Sequence, residues 1–276
     1  MLNGLLILAE LDPPTLGIWA QGEFSNFLFT AITVGLIYYM INRARAGLPI
    51  PQIRRIAGLE AIDEAIGRAT EMGRPVHYSP GISPETNPAT IASFAVLSYV
   101  AKRCAEYDTQ LIQTNRNYIV HAVNEEIVRQ AYLEAGRPDA YNADDVRYIS
   151  GFQFAYCAGV IGIFAREKPA ANLLFGYFFA EIMMILEVGA IHGAIQIGGT
   201  TNAVQLPFFM AAADYTLIGE ELFAASAYIS KEPVLTGTVV GQDLMRILLF
   251  ALILVGTILH NINPDYNPLA NFLTNY

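Results

Sequence analysis

The sequence predicts an α/β fold: a mainly parallel sheet covered by helices, flanked by two transmembrane helices. Three observations predict it. Short apolar runs of strand length alternate with helix-length amphipathic runs across residues 59–230, the pattern of a parallel sheet covered on both faces. An uncharged apolar run stands near each end of the chain. The composition is 54% hydrophobic and 15% charged, against roughly 25% charged in a soluble domain.

In chain order, the first expected span covers residues 24–42. Its core, FSNFLFTAITVGLIYYMI, has no charge over 18 residues, close to what a hydrocarbon core of about 30 Å requires. The second is expected over residues 238–262, with ILLFALILVGTILHNI as its apolar part. Gly35 and Gly256 offer places for close helix approach, though neither forms a GxxxG pair. All 16 Lys and Arg lie from Arg43 to Arg246. By the positive-inside rule, residues 43–237 form a cytoplasmic domain, and the segments 1–23 and 263–276 lie outside. Trp19, Tyr266 and Tyr276 suit an outer aromatic belt. Residues 5–9 are apolar but lack a basic flank. They are expected to form an interfacial or partner-contacting segment rather than a signal peptide.

Within the central domain, Leu59, Ile62, Ile66, Ala69 and Met72 share one helical face. A strand follows at 75–78. Asn87-Pro88 reads as the cap and first turn of a helix running to Glu106. Residues 111–113 read as a strand and 118–133 as a helix, with Asn117 as its cap. Residues 146–149 read as a strand, and Ser150 with Gln153 as a capping box for the next helix. Residues 172–179 read as a strand and 181–191 as a helix stopped by Gly193. Strands are expected at 194–197 and 206–210, and a helix from Asp214. The layering is Rossmann-like. Glu181, Glu187, Glu220 and Glu221 argue against further spans in this region, since each carboxylate at a bilayer centre costs about 2.5–3.5 kcal/mol.

Four segments carry a family resemblance: GLEAIDEAIGRATEMGRPVHYSPG at 58–81, FAREKPAANLLFGYFFAE at 164–181, GAIQIGGTTNAVQLPFF at 193–209 and ADYTLIGEELFAASAYIS at 213–230. With them the chain resembles an uncharacterised, domain-of-unknown-function family of prokaryotic membrane proteins. The resemblance implies a membrane-anchored domain and no particular activity.

The formal net charge of −9 excludes nucleic acid as a main partner. Cys104 and Cys157 sit in apolar helical patterns and read as buried free thiols. The four histidines are isolated, so no metal site is expected. Neither GxGxxG, a P-loop nor GxSxG occurs, and no cofactor is named by the sequence. Ligands of open α/β sheets bind beyond the carboxyl ends of the strands. The residues expected there are Ser79, Gly81, Thr114, Asn115, Arg116, Gly198, Gly199, Thr200, Thr201, Asn202 and Asp214. Amides of a Gly198-Gly199 turn and the Arg116 guanidinium are the candidate anion holders, with Asp214 or Glu181 as a base. The same features read blandly as turns and caps. His77 is a candidate for the same cleft, and His192 reads as a helix-terminal packing residue. Glu181 and Glu187 do not share a helix face.

No catalytic constellation is evident. The expected function is therefore a membrane-anchored assembly or scaffold protein. Its expected partners are the lipid bilayer and further copies of itself in a cyclic homo-oligomer, with the apolar stretches NLLFGYFF and FAASAY in subunit contacts. The alternative is a membrane-tethered domain that binds a small molecule or anion, or acts as an enzyme, through its strand-end loops. A multi-span transporter is a third reading.

Overall fold

A computed structural model describes residues 23–49, 51, 57–230 and 232–262. The expected outer segments, apart from Glu23, and the aromatic residues assigned to the outer belt lie outside the described residues. The chain divides into two units, Gln52–Leu235 and the pair Met1–Pro51 with Thr236–Tyr276.

The larger unit is an α/β sandwich. Its elements are α2 (Ala57–Met72), β1 (Val76–Gly81), α3 (Pro88–Glu106), β2 (Leu111–Asn115), α4 (Tyr118–Glu134), β3 (Val146–Tyr148), α5 (Gln153–Glu167), β4 (Ala171–Tyr177), α6 (Glu181–Ile191), β5 (Ile195–Thr200), α7 (Leu206–Ala212), β6 (Tyr215–Ile218) and α8 (Glu221–Ser230). The six strands form one sheet in the order β3-β2-β1-β4-β5-β6, with every neighbouring pair parallel. Helices α2, α3, α4 and α8 cover one face and α5, α6 and α7 the other. The chain changes direction across the sheet between β1 and β4, whose following helices lie on opposite faces.

Local chemistry sets several boundaries as expected. The Asn87 side chain accepts from the Ala89 N–H, with Pro88 opening α3. Asn117 accepts from the N–H groups of Ile119 and Val120 at the start of α4. Gly193, at φ +68, ends α6. On α2, Leu59, Ile62, Ile66 and Ala69 are buried as their spacing requires, while Met72 at the frayed end is exposed.

Three expectations are corrected. Residues 206–210 fall in helix α7, not in a strand, and Pro207 occupies its first turn. Residues 215–218 form strand β6, so Asp214 caps no helix. Ser150 accepts from the Phe152 N–H, but Gln153 turns to Glu181, so the capping box does not close. The two stretches expected at subunit contacts are mostly core: Phe175 and Phe178 in and after β4, and Ala225 and Ala227 in α8, are buried.

The smaller unit holds two helices long and apolar enough to cross a membrane. They are α1 (Glu23–Arg45) and α9 (Pro233–Ile262). They pack antiparallel through Gly237 and Gly241, a GxxxG pair. A Cβ at Gly237 would lie 2.7 Å from the Cα of Ile41, and one at Gly241 2.7 Å from the Cα of Ile37. Gly35, by contrast, faces open space.

Candidate functional site

Three regions of the larger unit carry polar or exposed groups that the bare fold does not require. They are the carboxyl edge of the sheet, a polar chain buried beneath α5, and the outer surface of α5, α6 and α7.

At the carboxyl edge, Arg116 follows β2. It donates from Nε to the Gly151 carbonyl at 3.0 Å and from Nη1 to the Ile82 carbonyl at 2.8 Å. It thereby ties together the loops after β1, β2 and β3. Asn202 plays the same part on the other side. It donates to the Phe178 carbonyl at 3.0 Å and accepts from the Val204 N–H at 3.1 Å. Thr200 is buried and accepts from the Asn202 N–H, while Thr201 is half-buried beside it. Asn115 faces the α4 side. It exchanges hydrogen bonds with Gln113 and accepts from Asn124 at 2.8 Å. Gly81 pairs with Tyr177 at φ +88, where a Cβ would overlap the Tyr177 backbone.

Two expectations about this edge are corrected. Gly198 and Gly199 are not a turn. They lie within β5, paired with Leu174 and Phe175 of β4 and Thr216 and Leu217 of β6. They are glycines because Phe209 covers one side of the strand, and Leu217 and Phe175 cover the other. Asp214 is at the opposite, amino edge. Its carboxylate accepts from the Gln196 N–H at 2.7 Å, extending the β5–β6 pairing. There it lines an open groove of about 700 Å³ with Glu64, Arg68 and Tyr215.

Replacing Arg116 by alanine is expected to leave the fold intact and cost about 1–2 kcal/mol. The bonds come from a charged donor, but the site is partly exposed. Amide exchange at Ile82 and Gly151 should quicken while exchange in β4 stays slow.

The second region is a hydrogen-bonded chain of buried side chains that crosses four strands. His77, Asn172 and Gln196 stand side by side on β1, β4 and β5. Ser79 and Thr114 stand further toward the carboxyl edge, and Tyr156 descends from α5. The Ala212 carbonyl can only accept, so it fixes the sense of the whole chain. Gln196 donates to it at 3.1 Å and accepts from Asn172 Nδ2 at 3.1 Å. Asn172 Oδ1 then accepts from His77 Nδ1 at 2.8 Å. The lone pair of His77 Nε2 accepts from the Thr114 hydroxyl at 3.0 Å. Thr114 accepts from Tyr156 at 3.0 Å, and Tyr156 accepts from Ser79 at 2.7 Å. The Gly81 N–H closes the chain on Ser79 at 3.2 Å.

Each group in this chain has its partner, and the arrangement requires neutral His77 with its proton on Nδ1. Burial pushes the His77 pKa down to about 4, against the opposing pull of the Asn172 hydrogen bond. Burial pushes the Tyr156 hydroxyl up to about 12. Ser79, His77, Thr114 and Asn172 are all fully buried. Their hydrogen bonds tie β1, β2, β4, β5 and α5 together. His77 therefore faces the core rather than a cleft.

The third region is the outer surface of α5, α6 and α7. Phe152 and Phe154, at the start of α5, are 81% and 65% exposed. Between them, Gln153 donates to the buried carboxylate of Glu181, which also accepts from the Phe179 N–H. That bond joins the first turns of α5 and α6. Phe179 and Met183, at the start of α6, are exposed as Phe152 and Phe154 are. Ala155, Ala158, Ala165, Ala190, Ile191 and Met210 continue the exposed apolar surface. Arg166 and Glu187 are the exposed charges on these three helices. The opposite layer also exposes apolar residues, Met72, Ile91, Ile119 and Leu133 among them, but differs in charge: α2, α3 and α4 expose Glu60, Glu64, Arg68, Glu71, Glu106, Glu126, Arg129 and Glu134.

Among the described residues no group of His, Cys, Asp and Glu is arranged to hold a metal ion. Both cysteines are free and buried. No curated protein matches the chain, and no solved structure does. The family model described as Domain of unknown function (DUF6754) matches residues 14–269, and the chain belongs to that family.

Proposed function

We propose that this protein is a membrane-anchored subunit of a homo-oligomer, assembled through the α5–α6–α7 surface of its α/β domain. One observation carries the reading: a three-helix surface rich in exposed Phe, Met, Ile and Ala that bears only Arg166 and Glu187 as exposed charges. Soluble monomers rarely leave contiguous apolar patches of that kind to water. The charged α2–α3–α4 layer of the same domain supplies the contrast. Helices α1 and α9 supply the anchor. The confinement of every Lys and Arg but Arg246 to residues 43–231, with none in residues 1–42 or 247–276, favours a cytoplasmic domain with both ends outside. Reporter fusions at the two ends test that topology, and a cytoplasmic position for either end contradicts it. A shared membrane orientation favours cyclic symmetry, since all copies stand the same way up.

Phe154→Asp combined with Ile191→Asp tests the contact surface. Both side chains are exposed, so the fold should persist. Self-association should weaken about 100-fold or more, as expected when charges enter an apolar contact. Glu64→Arg on the opposite layer should leave association unchanged. Equal association of all three proteins by sedimentation in detergent would overturn the choice of surface.

The strand order favours a second reading. The change of direction between β1 and β4 is where open α/β sheets take small ligands. Arg116 and Asn202 brace the loops on either side of it. A small molecule retained through purification, and lost in Arg116→Ala, would support this reading. Retention unchanged by that substitution would oppose it.

A further inference from the structure

The packing of the two long helices gives them a common depth scale. Gly237 meets Ile41 and Gly241 meets Ile37. Continuing that antiparallel register at equal rise sets Asp243 level with Gly35 and Arg246 level with Ile32. The uncharged stretch of α1, residues 24–42, is about 28 Å long at 1.5 Å per residue. All of it is needed to cross a hydrocarbon core of about 30 Å. When α1 crosses, residues 236–254 of α9 share its depth, and Arg246 stands near the middle of the bilayer.

At that level α9 turns two kinds of side chain in opposite directions. Gly237, Val240, Gly241 and Met245 are buried. Gln242, Asp243 and Arg246 are exposed. Arg246 Nη1 and Asp243 Oδ1 pair at 3.1 Å, yet the two side chains remain 43% and 58% exposed. Lipid is a costly surrounding for such a ridge, and ionisable groups inside a membrane almost always face protein or water.

We propose that Gln242, Asp243 and Arg246 form an intramembrane contact ridge whose occupant is the same ridge of a second copy of this chain. The ridge carries both signs of charge within one helical turn, so it is complementary to itself: Asp243 of one copy meets Arg246 of the next, and Gln242 donates and accepts between them. In a cyclic assembly the ridges face one another around the symmetry axis, and the apolar residues of α9 beyond Ile247 face lipid. This inference rests on the membrane-anchored oligomer proposed above, but on different residues in a different unit.

The test uses the full chain in its membrane with Gln242→Cys. Cys104 and Cys157 are buried, so the added thiol is the reactive one. A short membrane-permeant bis-maleimide should link two copies. A bulky membrane-impermeant maleimide should label the thiol at least 10-fold more slowly than a cysteine placed at the exposed Glu64. Both results together are required. If the wild-type particle holds several copies but the thiol fails to cross-link, or labels as fast as the cysteine at Glu64, the ridge is not an intramembrane contact. That outcome leaves assembly through α5–α7 standing. Fast labelling would also place the bilayer around residues 247–262 and leave residues 32–41 of α1 in water. A wild-type particle of one copy overturns the oligomer itself.

Discussion

Gly199→Val is expected to destabilise the α/β domain as a whole. Gly199 lies within β5. A Cβ there meets Leu217 Cβ at 3.0 Å and Phe175 Cδ1 at 3.1 Å, and both of those side chains are buried. Valine adds two further carbons that neither neighbour can yield to. Overpacking of this kind costs about 1–3 kcal/mol, occasionally more. Gly198→Val meets Phe209 on the other side of the strand and should cost at least as much, since the Phe209 ring lies closer still. A domain stable by about 5–15 kcal/mol would lose a large part of its margin from either change. Thermal or urea unfolding of the full chain in detergent measures it. A variant as stable as the wild type would mean that β5 is not packed on both faces.

The second large effect is acid loss of stability through His77. The folded value of about 4 lies below the ordinary 6.5, so the unfolded chain binds the proton more readily. Stability from this residue is fully present above about pH 6.5. It declines as pH falls toward 4 and changes no further below that value. The shift corresponds to about 3 kcal/mol. His77→Leu removes this dependence but leaves the Asn172 Oδ1 and the Thr114 hydroxyl proton without the ring that meets them, so its stability at pH 7 should also fall, by about 2–4 kcal/mol. Comparing unfolding of the two proteins at pH 7 and pH 4.5 isolates the residue. Parallel pH profiles would show that His77 is not buried as a neutral ring.

Much of the fold was legible because it depends on local chemistry. Asn87 and Asn117 are capping residues placed before helical patterns, and they cap as read. The 181–191 helix ends at a glycine with positive φ. The errors fall where short apolar runs carry no periodicity. Leu206 to Met210 fits a buried strand or a short helix equally well. Pro207 near its start was the helix signal, and the β-branched and aromatic content of Tyr215 to Ile218 was the strand signal. Reversing that pair moved Asp214 from the amino edge to the carboxyl edge of the sheet.

The polar chain was beyond local reading because its members come from four strands and a helix. Nothing in the neighbours of His77 names Asn172 or Thr114 as its partners. The apolar stretches at 172–179 and 223–228 were legible as apolar but not as core. The outer surface of α5, α6 and α7 stands out instead by how few exposed charges accompany its exposed apolar residues. The Gly237-Gly241 pair was missed because it precedes the most hydrophobic part of its helix, where the charge-rich turn at Asp243 and Arg246 interrupts the pattern.

The mass of the purified full-length protein in detergent, with detergent subtracted and at micromolar concentration, tests the central claim most directly. One chain is 30.2 kDa. The account predicts a single closed particle whose mass is a whole multiple of that value, two or greater. A stable particle of 30.2 kDa at physiological salt would contradict it.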